Sequence, residues 1–552
     1  MSVQRLRRAD SLAAVTETPE SLGSKAFAGL LKPLPFLLVE GGDARLAIEC
    51  ESRANAYGCR PYPTPETLAF SSSTATSISG RAYRRAELAR CELIEESIAV
   101  GVIEAFDRKI ERLRHSLRAC LELDEAEIVF SPSGTDTQLH ALFFARQFLG
   151  GPVTSIVVGA DQTGSGTAYT SRGQNFSNRT AQGEAVEKGT PIAGLAGGID
   201  SLGISLFAGD GTVRSAREID AMVVDAVGAQ VRLGRKVVLQ TMDSSKLGWR
   251  APSDVCLREI GARWPHAVQV VVDACQMRIG RPRIRAYLDR GYIVLLTGSK
   301  FFTGPAFSGA SLYPAILGDR IAAWTEMPVG LSDYATRFDL PVRWSAARSA
   351  LPVAPNFGQW LRWEAALEEM RAYYTLPVCY RRSTLAQLAE VIENSIASSK
   401  HLELLPERDA SEDALDDEEM SCRTIFPFLV KHDGSSLDLD AMTKIYRALN
   451  RSLSSDVPDD ATDVERALVS IPCHIGQPVK LPGVKTILRL GVSARLLSES
   501  WSPDPQTAAE NLSAMNRQIR TVVRKIDLVV RTGIYDVPAH AAKLVEQSAR
   551  VL

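Results

Sequence analysis

The sequence predicts an α/β protein: a large domain with a mostly parallel sheet covered by helices, then a smaller C-terminal α+β domain. Three observations predict it. Short apolar runs alternate with helical stretches between residues 127 and 297, the pattern of strands buried on both faces of a parallel sheet. After about residue 340 long charged helices and separate strands take over. The 552 residues are also too many for one compact core. The expected divisions are an N-terminal segment (1–80), a large domain (81–340), and a small domain with its linking helices (341–552).

In chain order, residues 1 to about 75 are mixed, with Gly41-Gly42 and Pro61, Pro63 and Pro65 marking irregular structure. No apolar stretch follows Arg5, Arg7 and Arg8, so no secretory signal is expected, and Asp10, Glu17 and Glu20 speak against a transit peptide. From Ala82 to about Leu123, apolar residues such as Leu93, Val102, Phe106, Ile110, Leu113 and Leu117 recur at helical spacing. They predict one or two amphipathic helices. Strands are expected at Glu127–Phe130, Thr154–Gly159, Lys236–Met242, Val268–Val272 and Tyr292–Thr297, with helices at Asp136–Phe148, Ala216–Ala229 and Pro252–Trp264. Gly164–Gly198, rich in Gly, Ser and Thr, reads as a long loop. Farther on, helices are expected at Trp360–Tyr374, Tyr380–Leu402, Leu439–Leu449 and Asp504–Val530, and strands at Thr424–Val430 and Thr486–Gly491. The acidic stretch Glu407–Glu419 reads as a solvated loop.

Composition excludes several function classes. Lys+Arg at 63 against Asp+Glu at 65 gives a net charge of −2, which is no footprint for nucleic acid or an anionic membrane. No run approaches the roughly 18 apolar residues of a membrane helix. Nine cysteines without a C-x-x-C pair predict neither a disulfide framework nor a zinc site, and make a reducing, cytoplasmic compartment the default. With seven histidines and no H-E-x-x-H, no metal is expected.

Three segments carry chemistry. Lys300 follows the apolar run Leu295-Leu296-Thr297 and precedes Phe301-Phe302-Thr303-Gly304-Pro305. A Lys directly after a buried strand is costly unless used, and one use is Schiff-base formation by a desolvated amine; the alternative is a Lys on a solvated loop. Asp273 ends Val270-Val271-Val272 and leads into Ala274-Cys275-Gln276. Ligands of open α/β sheets bind at the carboxyl ends of strands, where a carboxylate can keep a pyridine nitrogen protonated. A helix N-cap is the alternative. The third segment, Ile128-Val129-Phe130-Ser131-Pro132-Ser133-Gly134-Thr135-Asp136, is strand, tight turn and helix start. Its backbone N–H groups and hydroxyls suit phosphate, although a plain capped helix also uses such residues and Asp136 suits capping better than an anion site.

In this order the segments resemble pyridoxal 5′-phosphate (PLP) enzymes of fold type I, most closely the class V aminotransferase and cysteine desulfurase group. The motifs matched are Ser133-Gly134-Thr135-Asp136, Asp273-Ala274-Cys275-Gln276, and Thr297-Gly298-Ser299-Lys300 with Gly304-Pro305. The resemblance is strong over roughly residues 80 to 320. It implies that Lys300 forms the Schiff base and moves protons, that Asp273 pairs with the pyridine nitrogen, and that Gln276 sits near the ring hydroxyl. It further implies that Gly134, Thr135, Ser299 and Ser133 bind phosphate, with Thr297 joining them, and that Ser245 stands where the family has Asn. The family's ring-stacking His or aromatic residue is missing from Gly159–Thr167, so the residue over the ring is either Gln162 or an aromatic residue from elsewhere in the chain. Ser299 also replaces the His that precedes the family's lysine.

On the substrate side, a planar Arg answers a carboxylate, and Arg489 inside the apolar run Ile487-Leu488-Arg489-Leu490 is the candidate, against a structural role. Arg343, Arg348 and Arg362 are further candidates. Cys422 and Cys275 read as packed rather than reactive thiols. The expectation is an enzyme acting on a small amino acid, first an aminotransferase, second a lyase (decarboxylase or C–S/C–C lyase). A catalytically silent binding protein is the reading from another class. A homodimer is implied by the resemblance, with Thr303 reaching the partner's phosphate, and no nucleic-acid or membrane partner is expected.

Overall fold

The computed structural model describes residues 19–195, 197–408 and 417–536. The Arg5, Arg7, Arg8 cluster, Asp10 and Glu17, and residues 409–416 of the acidic stretch, lie outside the described residues; so does the side chain of Glu20. The strands, in chain order, are β1 (Leu68–Phe70), β2 (Glu127–Ser131), β3 (Val153–Val158), β4 (Ile199–Ile204), β5 (Lys236–Met242), β6 (Val268–Asp273), β7 (Ile293–Thr297), β8 (Gly309–Tyr313), β9 (Leu402–Leu404), β10 (Ile425–His432), β11 (Ser435–Ser436), β12 (Cys473–Lys480) and β13 (Thr486–Gly491).

The large sheet has the order β2-β8-β7-β6-β5-β3-β4. Strands β7, β6, β5, β3 and β4 are mutually parallel, while β8 is antiparallel to both its neighbours, β2 and β7. Because β2 therefore runs with β7, the carboxyl ends of β2, β3, β5, β6 and β7 share one edge. Side chains alternate between two cores: Ile128, Phe130, Val270, Val272, Val294 and Leu296 face one cluster, and Val129, Val271, Ile293 and Leu295 face the other. A strand with both faces buried carries no polar alternation, which is why these runs read as wholly apolar.

Two strands of this sheet depart from expectation. β4 closes the edge with Ser201 and Leu202 on its partly exposed strand and has little apolar signature. β8 is built from Gly309-Ala310-Ser311-Leu312-Tyr313, too small and polar at its start to stand out. The helical repeat after Ala82 resolves into helices Gly80–Val100 and Val102–Cys120. They break at Gly101, whose φ of 83° is open to glycine and strained for other residues. Gly164–Gly198 is mostly loop, with one short helix at Thr167–Thr170.

The second sheet, β1-β12-β13-β10-β11 with β9 on β10, is antiparallel apart from β1, which pairs parallel to β12. The N-terminal segment thus supplies a strand to the C-terminal sheet. Helices Phe357–Tyr374 and Val378–Ala397 link the two sheets; helix Leu439–Leu449 packs on the second, and helix Pro505–Thr532 packs on Leu439–Leu449 and Val378–Ala397. Among the described residues no helix is long and apolar enough to cross a membrane, and no group of three or more His, Cys, Asp or Glu is placed to hold a metal.

Candidate active site

The site lies where five strands of the large sheet end. Asp273 is the last residue of β6, in register with Leu295 of β7 and Met242 of β5. Lys300 follows β7 by three residues. Its amine makes no hydrogen bond or ion pair among the described residues, and the side chain is half-buried. Burial lowers its pKa; Cys275 and Asp273 push it back up, and Arg489 and Arg278 lower it further. A lowered pKa raises the fraction of free amine, the nucleophilic form.

Asp273 is fixed rather than floating. Its Oδ1 accepts from the Cys275 backbone N–H at 3.0 Å and its Oδ2 from Gln138 Nε2 at 3.0 Å. Gln138 is oriented in turn by the Thr167 and Thr170 hydroxyls, which donate to its Oε1 at 2.9 and 3.1 Å. This relay from the Gly-rich loop holds the carboxylate at the strand end. Gln138 was not singled out by sequence, since it is one polar residue on a buried helix.

The phosphate candidates stand at the start of helix Gly134–Leu149. Ser133 caps it, its Oγ accepting from the Thr135 and Asp136 N–H groups at 3.2 and 3.3 Å and donating to Asp136 Oδ2 at 2.5 Å. The Ser133 hydroxyl is therefore committed to the cap, and the anion-binding capacity rests on the first N–H groups of the helix. Burial pushes the Asp136 carboxyl up to about 7, so it is largely protonated below that pH and adds little negative charge to the site. At Gly134 a Cβ would lie 3.0 Å from Cys275 Sγ and 3.2 Å from Thr297 Cγ2, so glycine lets the helix start sit against the ends of β6 and β7. A cation also reaches this point: Arg45, held by Asp43 at 2.6 Å, approaches Ser133 Oγ and Thr135 Oγ1 at 3.4 Å each and lies 4.9 Å from the centre of the Phe307 ring. Arg45 comes from the N-terminal segment, and no local motif marks it. A cavity of about 1040 Å³ opens beside it, bounded by the Gly-rich loop.

Other expected residues have different tasks here. The Thr297 hydroxyl donates to the Cys275 carbonyl at 2.7 Å, tying β7 to the loop after β6. The Gln276 amide donates to Ser73 O at 3.1 Å and accepts from Arg278 Nη1 at 2.8 Å. Ser245 Oγ accepts from the Leu247 and Trp249 N–H groups, so it shapes the turn after β5. Ser299 is buried and its hydroxyl makes no hydrogen bond among the described residues. Gln162 is buried with Oε1 unpartnered, an orphaned acceptor beside Asp161. Thr303 is turned inward: it is 1% exposed, donates to Phe302 O and is clasped by Arg495 Nε at 3.1 Å. In this chain Thr303 thus presents no exposed hydroxyl to a partner.

Arg489 crosses from the second sheet to the turn after β5. It donates to Lys246 O at 3.3 Å, Thr74 Oγ1 at 3.0 Å and Gln477 O at 2.9 Å, with Nε buried and unpartnered. Burial pushes it down to about 10. The other candidate arginines lie in structural networks. Arg362 is wholly buried and donates to the carbonyls of Phe307, Leu38, Glu40 and Gly41. Arg348 pairs with Asp107, and Arg343 with Glu127 and Asp319. Burial and the adjacent Asp273 raise the Cys275 thiol far above its ordinary value, which makes it inert; Cys422 packs against the core.

The arrangement fits PLP. A free amine, a carboxylate fixed at a strand end, an orphaned acceptor, and a helix N-terminus with an arginine beside it stand along one edge. Lys300, Asp273, Gln162, Gly134, Thr135 and Arg45 would hold the group.

No protein-family model matches the chain, and no curated protein matches it. Among solved structures it is similar to Oryza sativa TDC with PLP and tryptamine (13% identity, 83% of this chain and 84% of that one, TM-score 0.46). It is similar also to the cystine C–S lyase C-DES in complex with cysteine persulfide (14% identity, 82% and 98%, TM-score 0.46). A NifS-like protein from Rickettsia africae gives 12% identity over 85% of this chain and all of that one, at TM-score 0.46.

Proposed function

We propose that this chain is a PLP-dependent enzyme that acts on a small amino acid through covalent attachment of the cofactor to Lys300. The observation that carries the reading is the Lys300 amine, desolvated and without a hydrogen bond among the described residues, on the same sheet edge as Asp273 and the helix start at Gly134. When bound, PLP supplies a carbonyl carbon for that attachment and a protonated ring that takes up an electron pair from substrate. Asp273, positioned by Gln138, favours the protonated ring nitrogen. The Gly134–Thr135 helix start and Arg45 hold the phosphate. The Lys300 amine would move the proton at the substrate Cα.

Transamination and lyase chemistry are two branches of this reading, because both begin with the same attachment and differ in the bond broken at Cα or Cβ. The homodimer and a cytoplasmic location belong to the proposal, the latter resting on nine free cysteines. The test is to load the purified protein with PLP, follow its visible absorption, add amino acids and analyse products by mass. Lyase products, the activity named for one of the similar structures, are assayed first; a keto acid would assign the aminotransferase branch. A band that no amino acid shifts would assign a silent binding protein, and absence of any band would contradict the proposal.

A further inference from the structure

Three cations stand near Lys300, and none of them makes an ion pair among the described residues. Arg278 follows β6 and is 3% exposed; Arg489, on β13, is 3% exposed; Lys246, in the turn after β5, is half-buried. No carboxylate among the described residues stands within ion-pairing distance of any of them. Arg278 donates to the Gln276 carbonyl and amide and to Ser72 Oγ at 2.9 Å, and Arg489 donates to Lys246 O, all uncharged acceptors. Each guanidinium also leaves Nε buried without an acceptor. Other arginines here leave Nε unpartnered too: Arg81, Arg281, Arg337 and Arg381 each hold a carboxylate, while Arg408 donates to the Arg250 carbonyl away from this cluster. The ammonium of Lys246 makes no hydrogen bond among the described residues.

A buried charge is costly without a partner, and Arg489 repels the other two: burial and then Arg489 push Arg278 down to about 9, and burial, Arg489 and Lys300 push Lys246 down to about 8 against the opposing pull of Asp161. The nearby acid Asp161 is engaged by the Leu206 N–H and the Gln162 amide. A single substrate α-carboxylate, met by Arg489, would leave Lys246 and Arg278 unbalanced. One further anion beside Lys246 would offset one of these two charges, and the half-buried Lys246 is the member placed to touch it.

We infer that Lys246 is a specificity-determining residue that binds a second acid group, so the substrate is an α-amino acid with an acidic side chain. Arg278, fixed behind by Ser72 and lying 5.6 Å from the centre of the Phe301 ring, contributes field rather than contact. The inference rests on the PLP reading above. Its test is a spectral titration of the PLP-loaded protein with aspartate against asparagine and glutamate against glutamine. One charge-assisted contact predicts that the acid of at least one pair binds roughly 10-fold or more tighter than its amide. Lys246→Met should abolish that preference while leaving cofactor absorption and amide binding unchanged, and Lys246→Arg should retain most of it. Amides binding as tightly as acids, no response to either while the band is present, or an acid preference that survives Lys246→Met, would overturn the inference alone. If Lys246→Met does not fold, the wild-type acid-to-amide ratio decides. Absence of the cofactor band would instead overturn the PLP reading beneath it.

Discussion

Lys300 and Lys525 both sit where burial lowers the pKa of an ammonium, yet their surroundings differ in kind. Lys525, on helix Pro505–Thr532, is wholly buried and donates to three carbonyls, Leu449 at 3.2 Å, Arg451 at 3.0 Å and Ile471 at 2.5 Å. All three donors of the group are used, so it is a structural clamp that joins this helix to the end of helix Leu439–Leu449 and to the segment leading into β12. Lys300 has no such acceptors among the described residues and feels a carboxylate and two arginines instead. The same contrast separates Arg362, saturated by carbonyls, from Arg489, which keeps an unpartnered Nε. Burial and a shifted pKa therefore do not separate the two lysines; the presence or absence of carbonyl acceptors does.

The sharpest way to break this contrast is to remove each lysine. Lys300→Ala should eliminate the cofactor band and lower turnover by about 10²–10⁴-fold, the usual worth of a positioned proton-transfer group, measured by absorbance and steady-state rates. Asp273→Ala should come next, lowering turnover roughly 10–10³-fold, since an opposite charge shifts the partner's pKa by about 1–3 units. Arg45→Ala should weaken PLP about 10–100-fold, the loss of a charge-assisted contact, read by equilibrium titration. Lys525→Met should leave band and turnover unchanged. It should lower stability by about 1–3 kcal/mol in denaturant unfolding, because buried carbonyls lose their donor. A loss of the band in Lys525→Met with the protein still folded would erase the distinction.

Much of the large sheet was legible because β2, β5, β6 and β7 are buried on both faces, so the runs ending at Ser131, Met242, Asp273 and Thr297 stand out. The edge strand β4 and the small-residue strand β8 carry no such signal. The pairing of Leu68 with Cys473 spans the chain and leaves no local trace. Lys300, Asp273 and the Ser133–Thr135 turn were legible because each follows a readable strand. Arg45, Gln138 and Arg278 were not, since each reaches the site by tertiary packing. Lys246 lay in a segment already of interest, but its charge acquires meaning only once Arg489 arrives from β13.

The most direct test of the central claim is borohydride reduction of the PLP-loaded protein followed by peptide mass mapping. The account predicts one reduced cofactor adduct, on Lys300. An adduct on Lys246 or another lysine, or none, would contradict it.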